Sequence, residues 1–417
     1  MSVALLPTPP AEANAPVLRS DQTDMGRRSR IALRLDKVGV PAALLLFGAI
    51  VLLPFATAKA NRIVPGVAND FLASLPAGMG PVLLALLVGC AALGALRLGP
   101  TLRVGVALAG LVVLLLAIGL APGVLAAPEN PYARVSPASG FWTALAAFAL
   151  LFTDALTRLR PGPVARLALL AGILFVLGAL LATGHFDGLS VMREYAVRAG
   201  TFWSEGARHV ALAYGSMAIS VALGVPFAVL AWRIQTLRAP ALAVLNVVQT
   251  VPSIALFGLL IVPLGWVALH VPGASALGIR GIGAAPALVA LVLYSMLPVV
   301  ANTLAGLAAV PEAARDAATG LGMTRRQRLV GVELPLALPV ILAGIRIVLV
   351  QNIGLATVAA LIGGGGFGVF VFQGLGQNAT DLVLLGALPT VALAFASATV
   401  LDAAIDFASI SPKGTAP

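Results

Sequence analysis

The sequence predicts an all-α polytopic membrane protein with about ten transmembrane helices. Three observations carry that reading. The chain of 417 residues is 60% hydrophobic and only 10% charged, with a mean hydropathy of +1.02. Soluble domains carry roughly 25% charged residues, so this much apolar surface needs lipid as its solvent. Apolar runs of about 20 residues, the length that crosses a bilayer, recur along the chain. The basic residues sit between those runs and favour one side, which is an orientation signal. The net charge of +10 therefore does not point to nucleic acid.

The elements follow in order. Residues 1–37 form a polar tail. Spans are predicted near 38–58, 80–96, 104–125, 140–157 and 165–183. The first ends in PFATAKA, where Ala56-Thr57-Ala58 resembles a signal-peptidase site. The tail is too long for an n-region and the apolar run exceeds the roughly 7–15 residues of an h-region, so cleavage is not expected. Residues 38–188 read as an N-terminal five-helix extension of plain Leu, Ala, Val and Gly helices. Thr153 and Asp154 are exceptions read as interfacial, and Cys90 as a small buried hydrophobe.

Residues 189–410 differ in character. LSVMREYAVRAGTFWSEGARH has mixed charge with Tyr195 and Trp203 and reads as an interfacial amphipathic segment. Spans are predicted near 208–232, 242–268, 285–309, 337–361 and 382–402. They carry Asn246, Gln249, Thr250, Ser253, Asn302, Thr303, Gln351 and Asn352 inside apolar runs. The first four follow i, i+3, i+4, i+7 spacing, one face of a helix, with Pro252 able to distort it. Amides at membrane depth face a bundle interior or a wet pathway. Interhelical hydrogen bonding is the plainer role for any one of them. As a cluster they favour a translocation pathway.

Between two of these spans the chain turns polar: PEAARDAATGLGMTRRQRLVGVELPLALP, the loop 311–335 and the entry to the next span. Pro311 suits a helix start. Ala313, Ala314, Ala317, Ala318 and Leu321 give a flat small-residue face. Gly320 and Gly322 end that helix. Thr324 with Gln327 forms a capping box for a second one. Pro335 and Pro339 mark entry to the next span.

With the N-terminus inside, the cytoplasmic side holds Arg19, Arg27, Arg28, Arg30, Arg34 and Lys37, then Arg97 and Arg103, Arg158, Arg160 and Arg166, Arg233 and Arg238, Arg315, Arg325, Arg326 and Arg328, and Lys413. The opposite side holds Lys59, Arg62, Arg134, Arg193, Arg198, Arg208 and Arg280. This asymmetry places both termini and the polar loop in the cytoplasm.

The loop resembles the cytoplasmic "EAA" loop of the permease subunits of bacterial ABC importers. The literal triplet Glu312-Ala313-Ala314 is out of register, because Ala318 falls where glycine is expected. Asp316-Ala317-Ala318, with Gly322 and then Val332-Glu333-Leu334-Pro335, fits, with Asp in place of the usual Glu. NVVQTVPSIALFGLLI, LYSMLPVVANTLAGL and LIGGGGFGVFVFQGLGQ resemble the permeases for glycine betaine, carnitine, choline and related osmoprotectants, over about residues 190–405. The resemblance implies that the C-terminal five spans form an ABC-importer permease core in the bacterial inner membrane. It implies a separate ATPase docked on Asp316, Ala317, Ala318, Gly322, Thr324, Leu334 and Pro335. An extracytoplasmic substrate-binding protein and a second permease copy or paralogue would complete the importer. Asn246, Gln249, Thr250, Ser253, Asn302 and Gln351 are the pathway candidates, with Tyr294, Phe257 and Trp266 as aromatic candidates for a quaternary ammonium ligand.

No G-x-x-x-x-G-K-[ST] motif occurs, and the run Gly363 to Gly366 lacks the Lys and Ser/Thr of a phosphate cradle. ATP hydrolysis is thus expected elsewhere, and neither a cofactor nor a metal site is expected. That glycine run suggests flexible or close-packed backbone on the outer side. His185, His209 and His270 form no H-E-x-x-H pattern and read as structural or interfacial. An ion-coupled secondary transporter remains the alternative. It would need buried mid-span carboxylates, whereas Asp402 is near a span end and Arg346 is placed to snorkel.

Overall fold

The computed structural model describes residues 35–409 apart from residues 63, 128 and 131. Arg19, Arg27, Arg28, Arg30, Arg34 and Lys413 lie outside the described residues. The N-terminal helices are α1 (Gly39–Val51), α2 (Gly80–Ala95), α3 (Pro100–Leu125), α4 (Ser139–Leu159) and α5 (Pro163–Ala182). Three strands, β1 (Ala56–Lys59), β2 (Val67–Asn69) and β3 (Arg134–Pro137), join their loops. The rest comprises α6 (Ser190–Arg233), α7 (Gln235–Thr250), α8 (Ser253–Leu259), α9 (Ile261–His270), α10 (Ala284–Ala308), α11 (Glu312–Gly320), α12 (Arg325–Arg328), α13 (Leu334–Val358), α14 (Gly368–Gly376) and α15 (Thr380–Ser409). Among the described residues, eight helical segments are long and apolar enough to cross a bilayer, with α1 and α2 as shorter apolar helices. The polytopic helical class therefore stands.

Two expectations need correction. The first span does not run as helix to residue 58. It ends at Val51, and Ala56–Lys59 is the central strand of a small antiparallel sheet ordered β2-β1-β3. Ala56 faces both Asn69 and Pro137. The predicted span 242–268 is instead broken after α7, because Pro252 cannot donate to the ladder and the chain extends at Val251 (ψ 128°), with α8 and α9 following and parted only at Leu260. The amphipathic segment before residue 208 is the first part of α6, which loses helical geometry at Arg198 (φ −123°, ψ 18°).

The N-terminal core is packed by Leu87, Leu114, Ile118, Phe148 and Leu151 across α2, α3 and α4. Its loop end is closed by charge. Arg103, 1% exposed, donates to Asp36 at 2.7 Å and pairs with Asp154 at 3.1 Å, and Arg158 reaches Asp36 at 2.7 Å. The Asp36 carboxylate also accepts from the backbone N–H groups of Val38 and Gly39, both at 2.9 Å. The Arg103 guanidinium, followed in effect by that of Arg158, holds the Asp36 carboxyl well below the usual carboxylate range despite its burial. Removing one partner of such a buried set costs on the order of 3–5 kcal/mol. Arg103 and Asp154 are therefore structural, not simple loop and interface markers.

The second part is built on α6, α10, α13 and α15. At its centre the Asn352 amide donates to the Ser216 and Ser295 hydroxyls, each at 2.8 Å, joining α13 to α6 and α10. The two parts meet at both ends. Ser136 of β3 donates to Asp381 at 2.6 Å, and Arg166 of α5 pairs with Asp406 of α15 at 2.9 Å.

Candidate functional site

The polar loop is an arm made of two short helices and a long one. α11 runs from Glu312 to Gly320 and stops where Gly322 takes φ +74°. A side chain at that angle is strained, so glycine suits the turn. Thr324 caps α12: the Gln327 backbone N–H donates to its hydroxyl at 3.3 Å, and its own backbone N–H donates to the Gln327 side-chain oxygen Oε1 at 2.8 Å. The predicted capping box is present. The second helix continues past the membrane entry. It passes through a π-helical turn, Leu329–Glu333, directly into α13. Pro335 cannot bond back to Gly331, and the wider turn lies at that place. From Arg325 to Val358 the arm is one unbroken rod, capped by Thr324.

The π turn has a chemical consequence. It brings residues five apart onto one side, which an α-helix does not do. Arg328 thereby reaches Glu333, Nε to Oε1, at 2.9 Å. Glu333 is buried, and Arg315 of α11 approaches it at 3.8 Å. Arg328 also donates to the Thr319 hydroxyl at 3.0 Å. Arg315 donates to the Leu307 carbonyl at the end of α10 and lies 5.4 Å from the Trp232 ring of α6. The Glu333 carboxylate therefore ties α11 and α12 to the start of α13, and Arg315 carries α11 on to the ends of α10 and α6. Beneath it lie Leu307, Val310, Leu329, Ala337 and Ile341.

This hub was not foreseen, since its arginines read only as charges holding a loop in the cytoplasm. The available signal was an acid, Glu333, inside an apolar entry sequence.

The predicted coupling residues divide by helix face. Asp316, Ala317, Gly322, Thr324 and Pro335 are exposed, and Leu334 is half-buried. Ala318 is buried against the chain itself, so it seats α11 and does not present a surface. With 3.6 residues per turn, Glu312, Ala313, Asp316, Ala317 and Gly320 share the outer face. Leu321 extends it and is 83% exposed. The literal Glu312 and the register-matched Asp316 are thus both outward.

The pathway candidates are less concentrated than their spacing implied. Asn246 and Thr250 lie exposed on α7, while Gln249 donates to the Tyr294 carbonyl of α10 at 2.9 Å. Thr250 bonds back to the Val247 carbonyl at 2.7 Å. Ser253 begins α8, across the break at Pro252, so the four do not form one continuous helical face. Asn302 donates to the Pro298 carbonyl at 2.8 Å and packs on Gly344, where an added Cβ would lie 2.5 Å from its own Cβ. Gln351 is half-buried on α13, next to the fully buried Asn352. Phe257 and Tyr294 are core side chains, and the exposed Trp266 stacks on His270 at 4.6 Å, so the three candidate aromatics form no cage.

The glycine run is close-packed. Gly363, Gly365 and Gly366 have positive φ, and the Gly366 N–H donates to Glu205 Oε2 at 2.6 Å. The Phe367 N–H donates to the buried His209 at 3.3 Å. These contacts fasten the far end of α13 to α6.

The family model for "ABC transporter permease YehY, N-terminal domain" matches residues 36–192. That for "Binding-protein-dependent transport system inner membrane component" matches residues 220–408. The chain is 43% identical over 185 residues to the osmoprotectant import permease protein OsmW of Salmonella typhimurium, covering 44% of this chain and 80% of the relative. It is 39% identical over 198 residues to OsmY of the same organism, covering 47% and 77%. It is 34% identical over 206 residues to the glycine betaine/carnitine/choline transport system permease protein OpuCB of Bacillus subtilis, covering 49% and 87%.

Proposed function

The chain belongs to the inner-membrane permeases of binding-protein-dependent transport systems, and from that premise we propose that it forms the membrane path of an ATP-driven importer of osmoprotectants such as glycine betaine, choline or carnitine. The observation that carries this reading is the arm. A rod that is continuous from Arg325 to Val358, joined by Glu333 to α11 and through Arg315 of α11 to α6 and α10, can turn a push on α11 into movement of membrane helices. A separate ATPase supplies the push on the face of Asp316, Ala317 and Leu321. A substrate-binding protein delivers solute at the opposite end, and a second permease copy or paralogue completes the path. Both termini and the arm are cytoplasmic, in line with the arginine asymmetry. Residues 1–37 are the tail, 38–188 the N-terminal extension and 189–410 the core.

Alternating access then requires two arrangements of the spans, with ATP biasing one of them. Asn246, Gln249, Thr250, Ser253, Asn302 and Gln351 line the path between them. The test is uptake of labelled glycine betaine in cells carrying the complete importer, with alanine at each position except Gln351. Alanine at these five is expected to change uptake while leaving the ATPase bound. Five unchanged uptake profiles would remove the pathway assignment.

A further inference from the structure

A groove of about 380 Å³ opens between α4 and α5 on one side and α15 on the other. Its walls are apolar, with Phe152, Leu170, Ile173 and Phe395 among them. Three threonines also face it, but each has turned its hydroxyl back on its own helix. Thr153 donates to the Ala149 carbonyl at 2.8 Å, Thr157 to that of Asp154 at 2.8 Å and Thr399 to that of Phe395 at 2.9 Å. What they offer the groove is therefore mainly methyl. All three helices are long and apolar enough to cross a bilayer, so the groove opens among membrane spans, where acyl chains fill apolar space at no desolvation cost.

One end of the groove is basic. Arg160 and Arg166 line it, at the turn where α4 ends and α5 begins. Arg166 is engaged, pairing with Asp406 at 2.9 Å and donating to the Pro161 carbonyl at 3.0 Å. Asp402, also at the groove, is engaged by Arg346 of α13. The Arg160 side chain makes no ion pair or hydrogen bond among the described residues, and the residue is exposed. The nearby carboxylates thus leave one positive charge uncompensated. Arg160 also takes φ 45°, ψ 55°, a left-handed turn position that costs an L side chain roughly 1–2 kcal/mol and that glycine would fill freely.

We propose that this groove binds an anionic phospholipid, with its phosphate at Arg160 and an acyl chain along Phe152, Leu170 and Phe395. Charge complementarity selects the headgroup, and the methyl-lined wall selects the chain. Basic pockets between membrane helices are suited to such lipids. The site spans the seam between the N-terminal helices and the core. Its edge residue Asp402 is bound to Arg346, so the lipid stands next to the helix that carries the arm.

The test is native mass spectrometry of the delipidated full-length chain, titrated with phosphatidylglycerol or phosphatidylcholine of matched acyl chains. The native chain is expected to retain one phosphatidylglycerol about fivefold more readily than phosphatidylcholine. Arg160→Gln abolishes that preference, and Arg160→Lys keeps most of it. Thr399→Trp, which fills the groove without changing charge, reduces retention of both lipids. Arg326→Gln, an exposed arginine on α12, changes nothing. Equal retention of the two lipids by the native chain overturns the proposal. So does a preference that survives Arg160→Gln, unchanged retention of both lipids in Thr399→Trp, or a preference lost equally in Arg326→Gln, which would mark diffuse surface attraction.

Discussion

Glu333→Ala is expected to stop transport while leaving the chain in the membrane and the ATPase attached. The substitution leaves Arg315 and Arg328 facing each other with no carboxylate between them. Both guanidinium side chains are largely covered, 24% and 30% exposed, against 6% for Glu333. Breaking a buried ionic set by removing one partner costs about 3–5 kcal/mol, and the partial exposure here puts the cost toward the lower end. That exceeds the roughly 1.4 kcal/mol that separates a tenfold change in an equilibrium, so α11 no longer moves as one body with α13. Uptake should fall by at least about tenfold. The outer face of α11 is untouched, so ATPase co-purification should persist. Glu333→Asp, with a shorter reach to the same arginines, should fall between. Parental uptake in Glu333→Ala would remove the hub from the coupling route.

The second large effect has the opposite signature. Ala317→Trp places a bulky ring on the exposed small-residue face of α11, and Gly322→Trp places one at the turn. Ala317 is exposed, so the chain should insert and run as a stable species. Gly322→Trp adds strain because φ is +74° there. In both, the partner ATPase should be lost on purification, with binding weakened by at least about tenfold. ATP turnover stimulated by the permease should disappear with it. Ala318→Trp differs in kind: Ala318 is buried, so its enlargement should lower the stability of the chain itself. Normal transport by Ala317→Trp and Gly322→Trp would refute docking on this face.

The pair also separates what the sequence displayed from what it concealed. Thr324, Gln327 and Gly322 carry local signals, a cap and a positive-φ turn, and these survive translation into structure unchanged. The positions of α3, α4, α5, α10, α13 and α15 follow from apolar length alone. Contacts between distant residues were not legible. β1 pairs with β3 across the whole of α2 and α3, and no alternation in four-residue strands announces it. Arg103 looked like a loop arginine because its partner Asp36 lies in another segment. In helices that are apolar all round, hydropathy does not distinguish the lipid face from the packed face. That is why Asn352 and Gln351 read alike, although only Asn352 is fully buried with serine hydroxyls. The Arg328–Glu333 contact was out of reach where geometry departs from 3.6 residues per turn. The i, i+5 contact of Arg328 with Glu333 needs the π turn, and periodic reading assumes its absence.

The most direct measurement is solute accumulation in sealed vesicles. The chain is reconstituted with its ATPase and binding protein, and labelled glycine betaine is followed with and without ATP. Uptake that needs all three components and ATP, and that persists when an ionophore collapses ion gradients, is the predicted result. Uptake by the chain alone, lost on adding the ionophore, would contradict the account and identify an ion-coupled carrier.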